Sequence, residues 1–278
     1  MRRILAVGFV LALLGFGVWL AYAATRGSST TEAPPITSVA APKPFRVIFP
    51  EGFTRREMAH RVTAVAKIAH RKRGVEPRIS AKTYLAVTGR RRMPGFGRKP
   101  RPLEGFLFPA TYDFTARTTS RQLVTAQLAA FRENWSQLDL RYARSKNLTP
   151  YDVLIIASMV EKETLAPDER RKVAAVIYNR LKAGMPLGID ATIRYGLDIP
   201  PTKSIRVSQL QSDSPYNTRK FPGLPPTPIA NPGLASLQAA AHPAKVDYLY
   251  FVRKPDKVHH FFTASYRDFV NYENTHGY

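Results

Sequence analysis

Thr149-Pro150-Tyr151-Asp152-Val153-Leu154-Ile155-Ile156-Ala157-Ser158-Met159-Val160-Glu161-Lys162-Glu163-Thr164 reads as a helix that cannot lie on a protein surface. Thr149 is an N-cap, Pro150 fits the first turn, and Asp152 stands three residues after the cap, where its carboxylate can reach back. The run from Val153 to Val160 is apolar almost all round, which demands burial on every side. At about 100° per residue, Glu161 and Glu163 leave the helix in nearly opposite directions. Glu163 continues the stripe of Ile156, Met159 and Val160, whereas Glu161 follows Leu154, Ala157 and Ser158. A carboxyl at the end of an apolar stripe loses hydration, and the helix C-terminus disfavours its negative charge. Both effects raise the pKa toward what a general acid needs at neutral pH. The competing reading is a helix-end glutamate that reaches solvent or pairs with Arg170 or Arg171.

Downstream, Pro167-Asp168-Glu169 opens a second helix that runs to Lys182 and stops at Gly184, so the two helices make a hairpin. Val173, Val176, Ile177 and Leu181 face its core, and Tyr178 and Asn179 face a cleft. Long loops rich in Pro and Gly follow (Pro200-Pro201, Phe221 to Pro228, Asn231-Pro232-Gly233), and loops of that length usually line a site. Within them Asp190, Tyr195, Tyr216, Asn217 and Thr218 offer the hydrogen-bonding groups and ring faces that bind sugars. Each has an ordinary alternative as a turn or capping residue. Asp247 to Val252 and His259 to Thr263 read as a β-hairpin around Lys254-Pro255-Asp256-Lys257. His259 and His260 show no metal-ligand spacing, so neither a metal nor a cofactor is expected. There is no cysteine, and GxSxG, SxxK with KTG, Walker A and GxGxxG patterns are all missing. Thiol chemistry is therefore excluded, and serine acyl transfer and nucleotide chemistry have no motif to stand on.

Upstream, Phe45 to Phe49 alternates as a strand, Thr54 caps a helix that reaches about Lys72 before Gly74, and a short helix spans Ser80 to Val87. The formal charge of the chain is +22, and residues 41–110, with 17 basic against four acidic residues, supply +13 of it. Arg90-Arg91-Arg92 and Arg98-Lys99-Pro100-Arg101 lie in a Gly/Pro-rich loop. This segment, residues 45–101, reads as a surface for anionic lipid or an anionic wall polymer, against the plainer reading of a solvated basic face. At the N-terminus, Arg2 and Arg3 precede an uncharged stretch from Ile4 to Thr25, about the 20 residues that cross a bilayer. It reads as an anchor with its N-terminus in the cytoplasm and the rest outside. A cleaved signal peptide ending at Ala21-Tyr22-Ala23 is the alternative. Either way the chain is exported, which argues against nucleic acid as the partner.

Several runs together closely resemble the endolytic murein transglycosylase (YceG-like) family. They are Ile156 to Thr164, Val176-Ile177-Tyr178-Asn179-Arg180-Leu181, Tyr216-Asn217-Thr218, Gly223-Leu224-Pro225-Pro226, Ile229-Ala230-Asn231-Pro232-Gly233, Ala239 to Pro243, and Leu103-Glu104-Gly105-Phe106-Leu107-Phe108-Pro109. The resemblance covers about residues 103–265. It implies a single-pass cell-membrane protein whose extracytoplasmic domain cuts peptidoglycan glycan strands internally, between MurNAc and GlcNAc, and leaves 1,6-anhydromuramyl ends. It assigns catalysis to Glu163, and Glu161, Asn179, Asp190, Tyr216, Asn217 and Thr218 stand beside it as candidates for substrate binding. Peptidoglycan synthases are implied partners. The sequence departs from the family pattern at Gly188, Ala110 and Phe269, where Gln, Asp and His are common.

The expected architecture is α+β, with a transmembrane anchor over residues 1–26 and a Pro/Ser/Thr linker over 27–44. A small basic LysM-like α/β module follows over 45–102. An α+β catalytic domain then spans 103–278, with a buried helical hairpin and long Pro/Gly-rich loops. The rival reading is a non-catalytic, membrane-anchored peptidoglycan-binding partner of the wall-synthesis machinery.

Overall fold

Alternation near the start of the described residues builds a first strand: Val47 is fully buried while Arg46 and Ile48 point outward. This strand, β1 (Phe45–Ile48), pairs antiparallel with β2 (Thr111–Phe114), Phe45 lying opposite Phe114 and Ile48 opposite Thr111. The structure, a computed structural model, describes residues 43–277. The expected anchor over 1–26 and nearly all of the linker over 27–44 lie outside the described residues. Among the described residues, no helix is long and apolar enough to cross a membrane.

Between the two strands lie α1 (Arg55–Arg73) and α2 (Ala81–Val87). Thr54 caps α1 through a capping box with Glu57, and Gly74 ends it in the left-handed conformation that glycine adopts without strain. Beyond β2 come α3 (Ser120–Ser136) and α4 (Arg141–Ser145), then α5 (Pro150–Glu163), a 3₁₀ turn at Pro167–Glu169, and α6 (Arg170–Lys182). Short helices α7 (Asp190–Gly196) and α8 (Val207–Leu210) sit in the long loops, followed by α9 (Leu234–Ala241). A hairpin of β3 (Tyr250–Arg253) and β4 (His260–Thr263) and the terminal helix α10 (Tyr266–His276) complete the chain.

The helix α5 is the centre of the core. Its capping box forms as the sequence requires: Thr149 Oγ1 accepts from the Asp152 N–H at 3.2 Å, and Asp152 Oδ2 accepts from the Thr149 N–H at 2.8 Å. Every residue from Val153 to Val160 is buried. The expected hairpin with α6 is present, but α9 packs against α5 more extensively. Ala239, Ala240 and Ala241 let α9 come close. Ser158 joins the helix to the loop before α9, its Oγ accepting from the Ile229 N–H at 3.0 Å and donating to the Ile155 carbonyl at 2.7 Å. On another flank, Gly105 at φ +86° lies so near Pro228 that a Cβ would stand 2.7 Å from its ring. Only glycine suits both the conformation and the space.

The β1–β2 sheet joins residues on either side of position 102, and one hydrophobic core runs from Val47 to Ala241. Residues 45–102 are thus a strand–helix–helix layer in the same compact unit as residues 103–277. The C-terminal hairpin is shorter than its alternation predicts. The carbonyls of Val246 and Tyr248 accept from the Asn179 side-chain amide and that of Leu249 from Arg180, which takes them out of a strand ladder.

Candidate active site

A cleft of about 1280 Å³ opens at the C-terminal end of α5, larger than the roughly 300–1,000 Å³ of sites for single small molecules. The α1 N-terminus, α7, the strand β3 and α10 form its walls. Glu163, the last residue of α5, is half-buried and lines it. Loss of hydration is the main reason its pKa rises to about 7, and the neighbouring Asp190 carboxylate adds to the rise. Arg253, the Ala191 backbone amide and Arg219 pull the other way. Among the described residues Glu163 has no ion-pair partner, so the alternative pairing with Arg170 or Arg171 does not form.

Asp190 is the first residue of α7 and also lines the cleft. Arg219 Nε donates to its Oδ1 at 2.6 Å. Of the cleft arginines, Arg56 pairs with Asp198 and Arg219 with Asp190, while Arg180 and Arg194 donate to backbone carbonyls. Arg253 alone among these five has no such partner in the described residues, and it is exposed.

Of the other sequence candidates, Tyr195 lines the cleft, while the remaining five do not and have their polar groups committed to the fold. Glu161 points away from Glu163, as the periodicity requires, and its Oε2 accepts from the Gly233 N–H at the start of α9 at 3.0 Å. Asn179 donates both amide hydrogens to the Val246 and Tyr248 carbonyls. Asn217 is fully buried and donates to Leu210 and Ser212. Thr218 Oγ1 accepts from the Ile189 N–H at 3.1 Å, just before Asp190. Tyr216 meets Thr227 through its hydroxyl at 2.8 Å. These five shape the loops around the site. Gly188 fits the same scheme: at φ +68° it gives its N–H to the Thr218 carbonyl, and a Cβ there would stand 3.0 Å from the Arg180 guanidinium.

One buried carboxylate escaped the helical argument. Glu104 is only 2% exposed; its Oε1 accepts from the Arg55 N–H and the Asn231 amide, each at 2.9 Å, and its Oε2 from the Tyr195 hydroxyl at 3.0 Å. Burial raises its pKa to about 7 against these donors. Asn231 also donates to Phe53 O and accepts from the Leu107 N–H, so α1, the 103–109 segment and the loop before α9 meet at one point. A lone acid inside the apolar run Leu103 to Phe108 is the sequence signal for it. Likewise His260 is buried against Glu169, Nδ1 to Oε2 at 2.7 Å, which locks β4 to the 3₁₀ turn after α5. Among the described residues, no three His, Asp or Glu side chains group as metal ligands would.

The sequence profile of the YceG-like family matches residues 22–275. A protein of Bacillus subtilis (strain 168) called endolytic murein transglycosylase is 40% identical over 153 residues, 55% of this chain and 42% of that protein. One of the same name from Streptococcus pneumoniae (strain R6) is 41% identical over 157 residues, 54% of this chain and 28% of that protein. The chain thus spans less than half the length of these relatives. A crystal structure of a yceG-like protein from Listeria monocytogenes superposes with a TM-score of 0.66 at 28% identity, covering 82% of this chain and 75% of that one.

Proposed function

The chain belongs to the YceG-like family, and on that premise we propose that it is an endolytic lytic transglycosylase of peptidoglycan, with Glu163 as its acid–base group. The observation that carries this is the placement of Glu163, an acid whose pKa burial raises to about 7, in the lining of a cleft large enough for a polymer. The proposed reaction needs one such group. Protonated Glu163 gives its proton to the glycosidic oxygen as the bond from that oxygen to C1 of MurNAc breaks. The C6 hydroxyl oxygen of the same sugar then bonds to C1, and its proton passes to the Glu163 carboxylate, regenerating the acid. No water enters, so no second carboxylate has to position one, unlike in ordinary glycosidases. A positioned acid–base group contributes roughly 10²–10⁴-fold. Asp190, beside Glu163 and fixed by Arg219, helps keep the acid protonated.

The relatives' name supports this reaction, and an intact, half-buried acid in an open cleft weighs against a non-catalytic binding partner. Membrane anchoring through residues 1–26, an extracytoplasmic catalytic domain and association with peptidoglycan synthases are parts of the same proposal. So is glycan gripping by a LysM-like layer over 45–102. The exposed Arg90, Arg91 and Arg92 supply the proposed contact with anionic lipid or wall polymer. The reaction is tested by digesting uncross-linked strands in oxygen-labelled water and weighing the new MurNAc ends. Unlabelled anhydro ends are expected; labelled, hydrated ends would show a hydrolase instead.

A further inference from the structure

Three of the aromatic rings that line the cleft form a cluster that the reaction does not use. Tyr250 on β3 and Tyr266 and Phe269 on α10 all line the cleft that holds Glu163. Their centroids form a cluster: Tyr250 to Tyr266 5.6 Å, Tyr250 to Phe269 5.3 Å, and Tyr266 to Phe269 6.4 Å, the last two rings within 26° of coplanar. Tyr250 is held from behind by Arg180, whose guanidinium carbon lies 5.3 Å from the ring centroid. Arg180 is itself fixed by bonds to the Leu249 and Leu187 carbonyls at 2.6 and 2.8 Å. The base of the cluster is therefore rigid, but its outer ring is not covered: Tyr266 is 64% exposed. None of the side chains of α10 is fully buried, so these rings stand at the protein surface.

A single exposed aromatic residue is ordinary, but three neighbouring rings on the lip of a reaction cleft form a binding surface. The rings offer flat apolar faces, and the tyrosines add hydroxyl edges. That combination suits a pyranose, whose C–H face is apolar and whose rim is polar. Because the rings share one open cleft with Glu163, their occupant is the strand that Glu163 cuts. We propose that Tyr250, Tyr266 and Phe269 form a sugar-stacking subsite that holds the glycan strand away from the scissile bond, with Tyr266 as its contact ring. The inference rests on the glycan-cleaving reading above and adds the place where the strand is gripped, which makes internal rather than terminal cleavage possible.

The test separates grip from chemistry. Binding of soluble, uncross-linked peptidoglycan strands is measured calorimetrically with the full chain carrying Glu163→Gln, so that no turnover occurs. Adding Tyr266→Ala is expected to weaken binding by about five- to tenfold, while Tyr266→Phe stays within about twofold, since stacking needs the ring rather than the hydroxyl. In the active enzyme Tyr266→Ala raises KM more than it lowers kcat. An unchanged dissociation constant in Tyr266→Ala, a Tyr266→Phe variant as weak as the alanine, or no strand binding by Glu163→Gln would overturn the subsite. A parent that binds strands through Tyr266 yet makes no anhydro ends would leave the subsite standing and refute the reaction.

Discussion

Asp190 and Arg219 form an ion pair at 2.6 Å on the wall beside Glu163, and the two charges act on that acid in opposite directions. Glu163 is catalytically competent while protonated, so activity is lost as pH rises through its pKa of about 7. Asp190→Asn removes a neighbouring negative charge and frees Arg219; both lower the pKa and move the alkaline limb of kcat/KM to lower pH. Arg253→Ala removes a positive charge and moves the limb to higher pH. Measured pH–rate profiles with both limbs unmoved would remove Glu163 as the titrating acid.

Glu104 links stability to pH. Its folded pKa, raised from an ordinary carboxyl value to about 7, means the fold binds a proton that the unfolded chain gives up. Its contribution is complete below about pH 4.5 and is lost as pH rises through about 7. Glu104→Gln keeps one acceptor for Arg55 and Asn231 and offers N–H to Tyr195, so it flattens this dependence, as urea midpoints at pH 5 and pH 8 would show. Glu104→Leu strands the Arg55 and Asn231 donors and costs about 2–4 kcal/mol.

Gly105→Ala tests the packing of the 103–109 segment against the loop before α9. The new Cβ meets Pro228 and forces an alanine to φ +86°, so a loss of about 1–3 kcal/mol is expected by chemical denaturation. A loss below about 0.5 kcal/mol would mean that this contact is loose.

Replacing Arg90, Arg91 and Arg92 by Gln tests the charged surface. These side chains are exposed, so thermal stability stays within about 0.5 kcal/mol. Salt-sensitive binding to anionic lipid vesicles falls, at about 1 kcal/mol per charge removed near the surface, and turnover of soluble strands is retained. A parallel fall in turnover would place the charge in the active site.

The α5 helix and the position of Glu163 were legible in the sequence because both follow from local rules, a capping box and a 3.6-residue period. The cap at Thr54 and the stop at Gly74 were legible for the same reason. Contacts distant in sequence were not. Nothing in Asn217 or Asn179 distinguishes an amide that binds sugar from one that ties down a loop carbonyl, and both bind carbonyls. The pairing of β1 with β2, which joins residues either side of position 102, has no local signature. Nor did periodicity reveal that Tyr266 and Phe269, one turn apart on α10, would share a cleft wall with Tyr250.

The most direct measurement digests purified sacculi with the wild-type protein and with Glu163→Gln and counts internal 1,6-anhydromuramyl products by mass spectrometry. The wild type is expected to produce them, and Glu163→Gln to lose at least about a hundredfold in rate while still binding strands. Wild-type protein that yields no anhydro products, or a Glu163→Gln variant that yields as many as wild type, would contradict the account.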